Sequence, residues 1–369
     1  MTSAIIRSRA AERAHNKSVY LVNPFFDYTF VCGGLALALS AIALSTQIPA
    51  NSLVQSSTPV ILLGVLGTYL FSEPHSAATI FRLYGEANNR KRFAFVAYVL
   101  PLILAACFIG ALYVPVIAKI MAVLYLIFIT HHIMAQSFGI AMIYCARDGF
   151  NMSRADKNGM KALIYSAVTL SVAQQFTTAW QREHFLGIDM PPMGFLPPQL
   201  INMLQTMVIL TVILFAIDLA IKHAKGIRHI PLPAVATLMT GTLALSINRS
   251  TSEVVWLFIP AFFHASQYMC VVFAYKLKRE TKQKQDAVAV PDESDRMLKN
   301  MEFLGGHFVE CFLVGLLIFA ALPFALAACG LSLTLCSALI FLAVNLHHFA
   351  ADACIWKLKD PSVRSRLIL

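Results

Sequence analysis

Six of the chain's eleven histidines fall in apolar stretches, together with carboxylate, amide and hydroxyl side chains, and these residues are the ones equipped to do chemistry. They stand in four segments: His75 with Thr79, His131 and His132 with Gln136, His264 with Gln267 and Tyr268, and His347 and His348 with Asp352. An ionisable side chain in hydrocarbon is expensive unless it is paired, neutral or bound to a metal, so each segment is a functional-site candidate. Neutral imidazole is the commonest protein ligand for iron, copper and zinc. A lone membrane histidine is more often a packing residue hydrogen-bonded to the next helix. Six of them at compatible depth point instead to a shared metal or cofactor site.

The depth argument rests on the basic residues that close each segment. The last histidines before Arg82, Arg147, Lys276 and Lys357 precede them by 7, 15, 12 and 9 residues, or about 10–22 Å of helix. Four similarly oriented helices therefore bring these histidines into one layer. Positions three and four apart share a helix face, which sets Thr79, Gln136, Gln267 and Asp352 beside the ligands. There they would orient the imidazoles by accepting or donating at the second ring nitrogen. Tyr268 is the candidate for contact with substrate or proton. Adjacent histidines point about 100° apart on a helix, so all of His75, His131, His132, His264, His347 and His348 stay in the ligand set. Four ligands on one ion is the simplest count, with His75, His132, His264 and His348 as the chosen four. His307 and Glu310 are weaker additions that read better as a polar helix start.

The elements that must position them follow from composition. The 369 residues are 58% hydrophobic and 13% charged, with a mean hydropathy of +0.68, which excludes an ordinary soluble domain. Crossing roughly 30 Å of hydrocarbon takes about twenty apolar residues as a helix, and internal backbone bonding makes the fold an all-α, polytopic transmembrane helix bundle. About ten spans are expected, near 21–46, 56–84, 93–116, 119–146, 160–178, 198–222, 231–247, 252–277, 308–329 and 332–357. The histidines occupy only even-numbered ones.

The net charge of +10 sits in short clusters between spans, the pattern of topology markers and not of nucleic-acid binding. Alternate loops are basic, which places both termini in the cytoplasm and the chain in the cytoplasmic (inner) membrane as a multi-pass protein. Residues 1–20 form a basic arm, 21–357 one transmembrane domain with a flexible cytoplasmic loop at 278–302, and 358–369 a cytoplasmic tail. Loop 179–197 is the largest outer one. Asp27 lies in the first span, and Arg249 and Glu253 suit a solvated outer turn. The eight cysteines lack metal-type spacing and read as small buried hydrophobes. No Walker loop, G-x-S-x-G elbow or H-E-x-x-H helix is present, so ATP, acyl-serine and zincin chemistry have no support.

Histidine clusters in a multi-span membrane protein resemble the membrane non-haem iron oxygenases in the broad sense, a class that includes fatty-acid desaturases and hydroxylases and the Brp/Blh-type carotenoid-cleaving dioxygenases. The resemblance lies in architecture and ligand type. The desaturases' HxxxH and HxxHH boxes are absent, and His131-His132 and His347-His348 are bare pairs, which argues against a desaturase di-iron geometry. The Brp/Blh resemblance implies one iron held by four histidines. The expected protein is thus an oxidoreductase with a non-haem iron cofactor, the bilayer around it, a hydrophobic lipid or isoprenoid substrate and an electron donor as partner. Two alternatives remain open on the residues alone. A b-type haem protein would use the same histidines as axial pairs, and a proton-coupled transporter would use them with Asp352 as a relay.

Overall fold

The computed structural model describes residues 19–45, 66–177, 183–246, 259–285 and 293–368. The first described helices are two short ones, α1 (Pro24–Val31) and α2 (Gly34–Ser45), which meet at a bend of 48°. One continuous span was expected over 21–46, and the bend has a local cause. Gly33 adopts φ +83°, and a Cβ there would lie 2.5 Å from both the Phe263 ring and the Thr240 methyl. Only glycine combines that backbone conformation with that close approach. Asp27, in α1, is fully buried but well partnered: it accepts from the Leu21 and Val22 amides (2.7 and 3.0 Å) and from the Tyr144 hydroxyl (2.7 Å).

A π turn at Thr68–Ser72 leads into α3 (Glu73–Tyr84), followed by the short α4 (Ala87–Arg92), then α5 (Phe95–Tyr113) and α6 (Pro115–Arg147). A Ser153–Asp156 capping box opens α7 (Arg154–Gln174), which satisfies two of the free amides at its first turn. Lys222, in the last turn of α8 (Pro198–Ala224), reaches Asp156 at 2.6 Å and so ties the start of α7 to the end of α8. The segment between these helices holds the hairpin β1 (His184–Phe185) and β2 (Ile188–Asp189), turned through Leu186 and Gly187 at positive φ.

The remaining helices are α9 (Leu232–Ser246), α10 (Ile259–Gln285), α11 (Glu293–Leu316), α12 (Leu333–Ile355) and α13 (Pro361–Leu367). A π turn at Leu317–Ala321 continues α11 into Leu322–Ala328. The described parts of 278–302, expected as a flexible loop, are helical: the end of α10 and the start of α11. Partial burial alone would raise the Asp360 carboxyl, but hydrogen bonds from Ser362 and the Arg92 guanidinium hold it below the ordinary carboxylate range. Asp360 thereby caps α13 and pins it to α4.

Among the described residues, five helices are long and apolar enough to cross a membrane: α5, α6, α8, Lys299–Ala328 and α12, with the bent α1–α2 pair as a sixth. They fit a helical membrane protein. The other expected spans differ for identifiable reasons. Part of 56–84 and of 252–277 lies outside the described residues, as do Arg249 and Glu253; α9 is described over 15 residues, and α7 and α10 carry charged ends.

The packing that matters for the site is a ring of four. α12 packs against both α3 and α6, and α10 packs against the same two, so the order around the ring is α3, α10, α6, α12. α11 backs α3 closely, with Gly315 against the Glu73 backbone, where a Cβ would lie 3.1 Å from the carbonyl carbon.

Candidate metal centre

Each helix of the ring contributes one inward histidine and, one turn later, one polar side chain: His75 and Thr79 from α3, His132 and Gln136 from α6, His264 and Tyr268 from α10, His348 and Asp352 from α12. The four histidines are buried. His132 Nε2 lies 3.1 Å from His264 Nε2 and 3.1 Å from His348 Nε2. The His75 ring meets those of His348 and His264 edge to face, with centroids 4.6 and 5.1 Å apart. Ring nitrogens of His75, His264 and His348 lie within 4.8 Å of one another, as do those of His132 and His348 with a carboxylate oxygen of Asp352.

The second ring nitrogens determine what the inward ones can do. His75 Nδ1 contacts the Ser72 carbonyl, which can only accept, so it is the Nδ1–H that points there. His348 Nδ1 lies 2.8 Å from Thr79 Oγ1. Thr79 and Tyr268 also place hydroxyls 3.0 and 3.1 Å from Asp352 Oδ1. Hydrogen bonds to a charged acceptor are the strong ones, so the Thr79 hydroxyl proton goes to the carboxylate; Tyr268, 2.5 Å from Thr79 Oγ1, shares its proton between Thr79 and Asp352, and Thr79 Oγ1 is left to accept from His348 Nδ1–H. His75 and His348 therefore present Nε2 lone pairs inward. His264 Nδ1 is buried without a protein partner.

Lone pairs from several buried imidazoles facing one another repel unless a cation lies between them. Two ligands on an ion with bonds of about 2.1 Å sit about 3.0 Å apart at a right angle and about 3.4 Å apart at a tetrahedral angle. The 3.1 Å pairs at His132 Nε2 fall in that range, as two ligands of one transition-metal ion would, and they leave no room for a macrocycle between those rings.

The other expected residues divide. His131 is exposed and faces a cavity beside the ring, while His347 Nε2 lies 2.9 Å from the Val96 carbonyl and its ring stacks on Tyr84. Gln136 orients the scaffold instead of an imidazole: its Nε2 donates to the His264 carbonyl (2.8 Å) and to Gln267 Oε1 (3.1 Å). Gln267 Nε2 in turn donates to the Val31 carbonyl of α1 (2.6 Å). His307 and Glu310 form a separate group with Lys276 and Cys311.

Sequence reasoning passed over the layer beneath. Trp356, one turn beyond Asp352, donates from Nε1 to the Tyr268 hydroxyl (3.1 Å). The Arg82 guanidinium is sandwiched between the Tyr275 and Trp356 rings, 3.9 and 4.0 Å from their centroids. These residues read as interfacial anchors in the sequence; their spacing of one further turn on α3 and α12 is the signal that joins them to the site.

A cavity of about 640 Å³ lies against the ring on its α5, α6 and α12 side. Its walls are mostly apolar, including Phe128, Leu346 and Phe349, and His132 and Asp352 form part of the lining. The histidine group is thus in contact with space able to hold an apolar molecule. Comparison of the chain with protein-family models, with curated proteins and with solved structures found no match.

Proposed function

We propose that the protein is an integral membrane metalloenzyme, a non-haem iron oxygenase or related oxidoreductase acting on an apolar lipid or isoprenoid substrate. The observation that carries the reading is the placement of His132 Nε2 at 3.1 Å from the Nε2 atoms of two further buried histidines. His75, His132, His264 and His348 would hold the ion. Iron so held with open positions supplies dioxygen activation, a chemistry that imidazole ligation suits.

The chain's own residues do the rest. Thr79 fixes the His348 ring through Nδ1, and Ser72 fixes His75. The apolar cavity walls exclude water and align a hydrocarbon chain beside His132. Tyr268, hydrogen-bonded to both Thr79 and Asp352, holds a proton one helical turn from the histidines. In this reading the helices without a full apolar window complete a bundle of about ten spans in the cytoplasmic membrane. Both termini and the basic loops face the cytoplasm, where an electron donor would dock.

The test is turnover. Protein purified in detergent, loaded with iron(II) and given a reductant and ¹⁸O-labelled dioxygen, is incubated with acyl lipids and with isoprenoids. Label in a lipid product supports the reading, and products without label from every lipid class would contradict oxygenase chemistry.

A further inference from the structure

We propose that Asp352 is itself a metal ligand, adding a carboxylate to the four histidines from the side that faces the cavity. This rests on the metal-centre reading above and deepens it. At the corresponding i+4 position the other helices offer neutral groups, Thr79, Gln136 and Tyr268; Asp352 alone supplies a charge.

The two carboxylate oxygens have different environments. Oδ1 receives the hydroxyls of Thr79 and Tyr268 at 3.0 and 3.1 Å. Oδ2 turns to the histidines, 3.4 Å from His348 Nε2 and 3.8 Å from His132 Nε2. A carboxylate that merely orients a metal-bound imidazole does so from behind, at the nitrogen that does not bind the metal. Here that place is taken: His348 Nδ1 is held by Thr79. Asp352 approaches the inward nitrogen instead.

With its proton on Nδ1, His348 Nε2 is an acceptor facing a second acceptor, Asp352 Oδ2, in a site where both side chains are at least nine-tenths buried. Such a pair is unfavourable without a cation bridging it. The separations of 3.1, 3.4 and 3.8 Å among His132 Nε2, His348 Nε2 and Asp352 Oδ2 are those of groups gathered on one ion. Two histidines and a carboxylate on one face is a ligand set that iron(II) favours, with the opposite positions left for other ligands. Asp352 also lines the cavity, so the carboxylate marks the edge of the centre next to the bound hydrocarbon.

A ligand swap tests the assignment. The full-length variant Asp352→Cys, stripped with chelator and reloaded with zinc(II), is compared with wild type by X-ray absorption. A carboxylate ligand replaced by thiolate adds a metal–sulfur shell at about 2.3 Å that wild type lacks; one zinc per chain with only nitrogen and oxygen neighbours would overturn the assignment. Should that variant not load, Asp352→Ala loaded with cobalt(II) decides through its visible spectrum. Loss of a ligand lowers the coordination number and raises the absorptivity several-fold, whereas a spectrum identical to wild type would overturn the proposal. Wild type that binds neither ion overturns the metal-centre reading itself, and the assignment with it; a metal-bearing wild type with an unaltered variant overturns the role of Asp352 alone.

Discussion

Thr79 ties three residues of the site together, touching Tyr268, His348 and Asp352 with one hydroxyl. Thr79→Val keeps the shape and removes all three contacts, leaving His348 Nδ1 without an acceptor in a buried site. The expected result is a 10–100-fold loss of metal affinity, the usual effect of removing a group that orients a ligand. A stability loss of about 1–3 kcal/mol is expected for the polar groups left unpaired. Thr79→Ser, which keeps the hydroxyl, should stay close to wild type. Competition with a chromophoric chelator measures the first effect and thermal unfolding the second. Much of the site could be read at this scale, because a histidine in an apolar run stands out and its distance from the basic helix end fixes its depth. Which member of a pair points inward could not. His131 and His132 differ only by about 100° of helix rotation, and that rotation is set by how α6 packs against α10 and α12, far away in sequence. The link from Thr79 to Tyr268 and Asp352 was hidden for the same reason.

Helix geometry explains why the four histidines arrive in one place. In each ring helix a polar residue follows the histidine by four positions, so the site is built as layers one turn apart, with Arg82, Tyr275 and Trp356 closing the layer below. α1 and α2 hold α10 in place through Gly33, packed on Phe263 next to His264. Gly33→Ala forces a left-handed conformation on alanine and drives its methyl into the Phe263 ring. A loss of about 2–4 kcal/mol is expected from backbone strain and overpacking together, with metal affinity falling alongside as α10 shifts. Unfolding midpoints and metal affinities equal to wild type would show that the bend does not support the site. The bend itself was not legible in the sequence, since a glycine in an apolar run looks the same whether a helix passes through it or turns there. Helices with charged ends, such as α7 and α10, blur the span count in the same way, because their polar turns dilute the apolar window that marks a crossing.

For the whole molecule, the consequence is a buried histidine cluster in contact with an apolar cavity. Gly139 lines that cavity, and a side chain there would meet no heavy atom within 4 Å of its Cβ. Gly139→Phe should therefore fill the space without disturbing the fold. Binding of a long polyene or acyl probe is expected to weaken by at least about tenfold, given about 0.8 kcal/mol per buried methylene displaced, while metal content stays at the wild-type level. Fluorescence titration reads the first quantity and metal analysis the second; unchanged probe binding would place the apolar ligand elsewhere.

The claim on which all of this depends is that four histidines from four helices hold one transition-metal ion. The direct measurement is metal content with an absorption spectrum on detergent-purified protein, wild type and single alanine variants of each of the six histidines of the apolar segments. About one iron per chain without a Soret band is expected in wild type, lost in His75→Ala, His132→Ala, His264→Ala and His348→Ala and kept in His131→Ala and His347→Ala. A Soret band, or full metal content in any of the first four variants, would contradict the account.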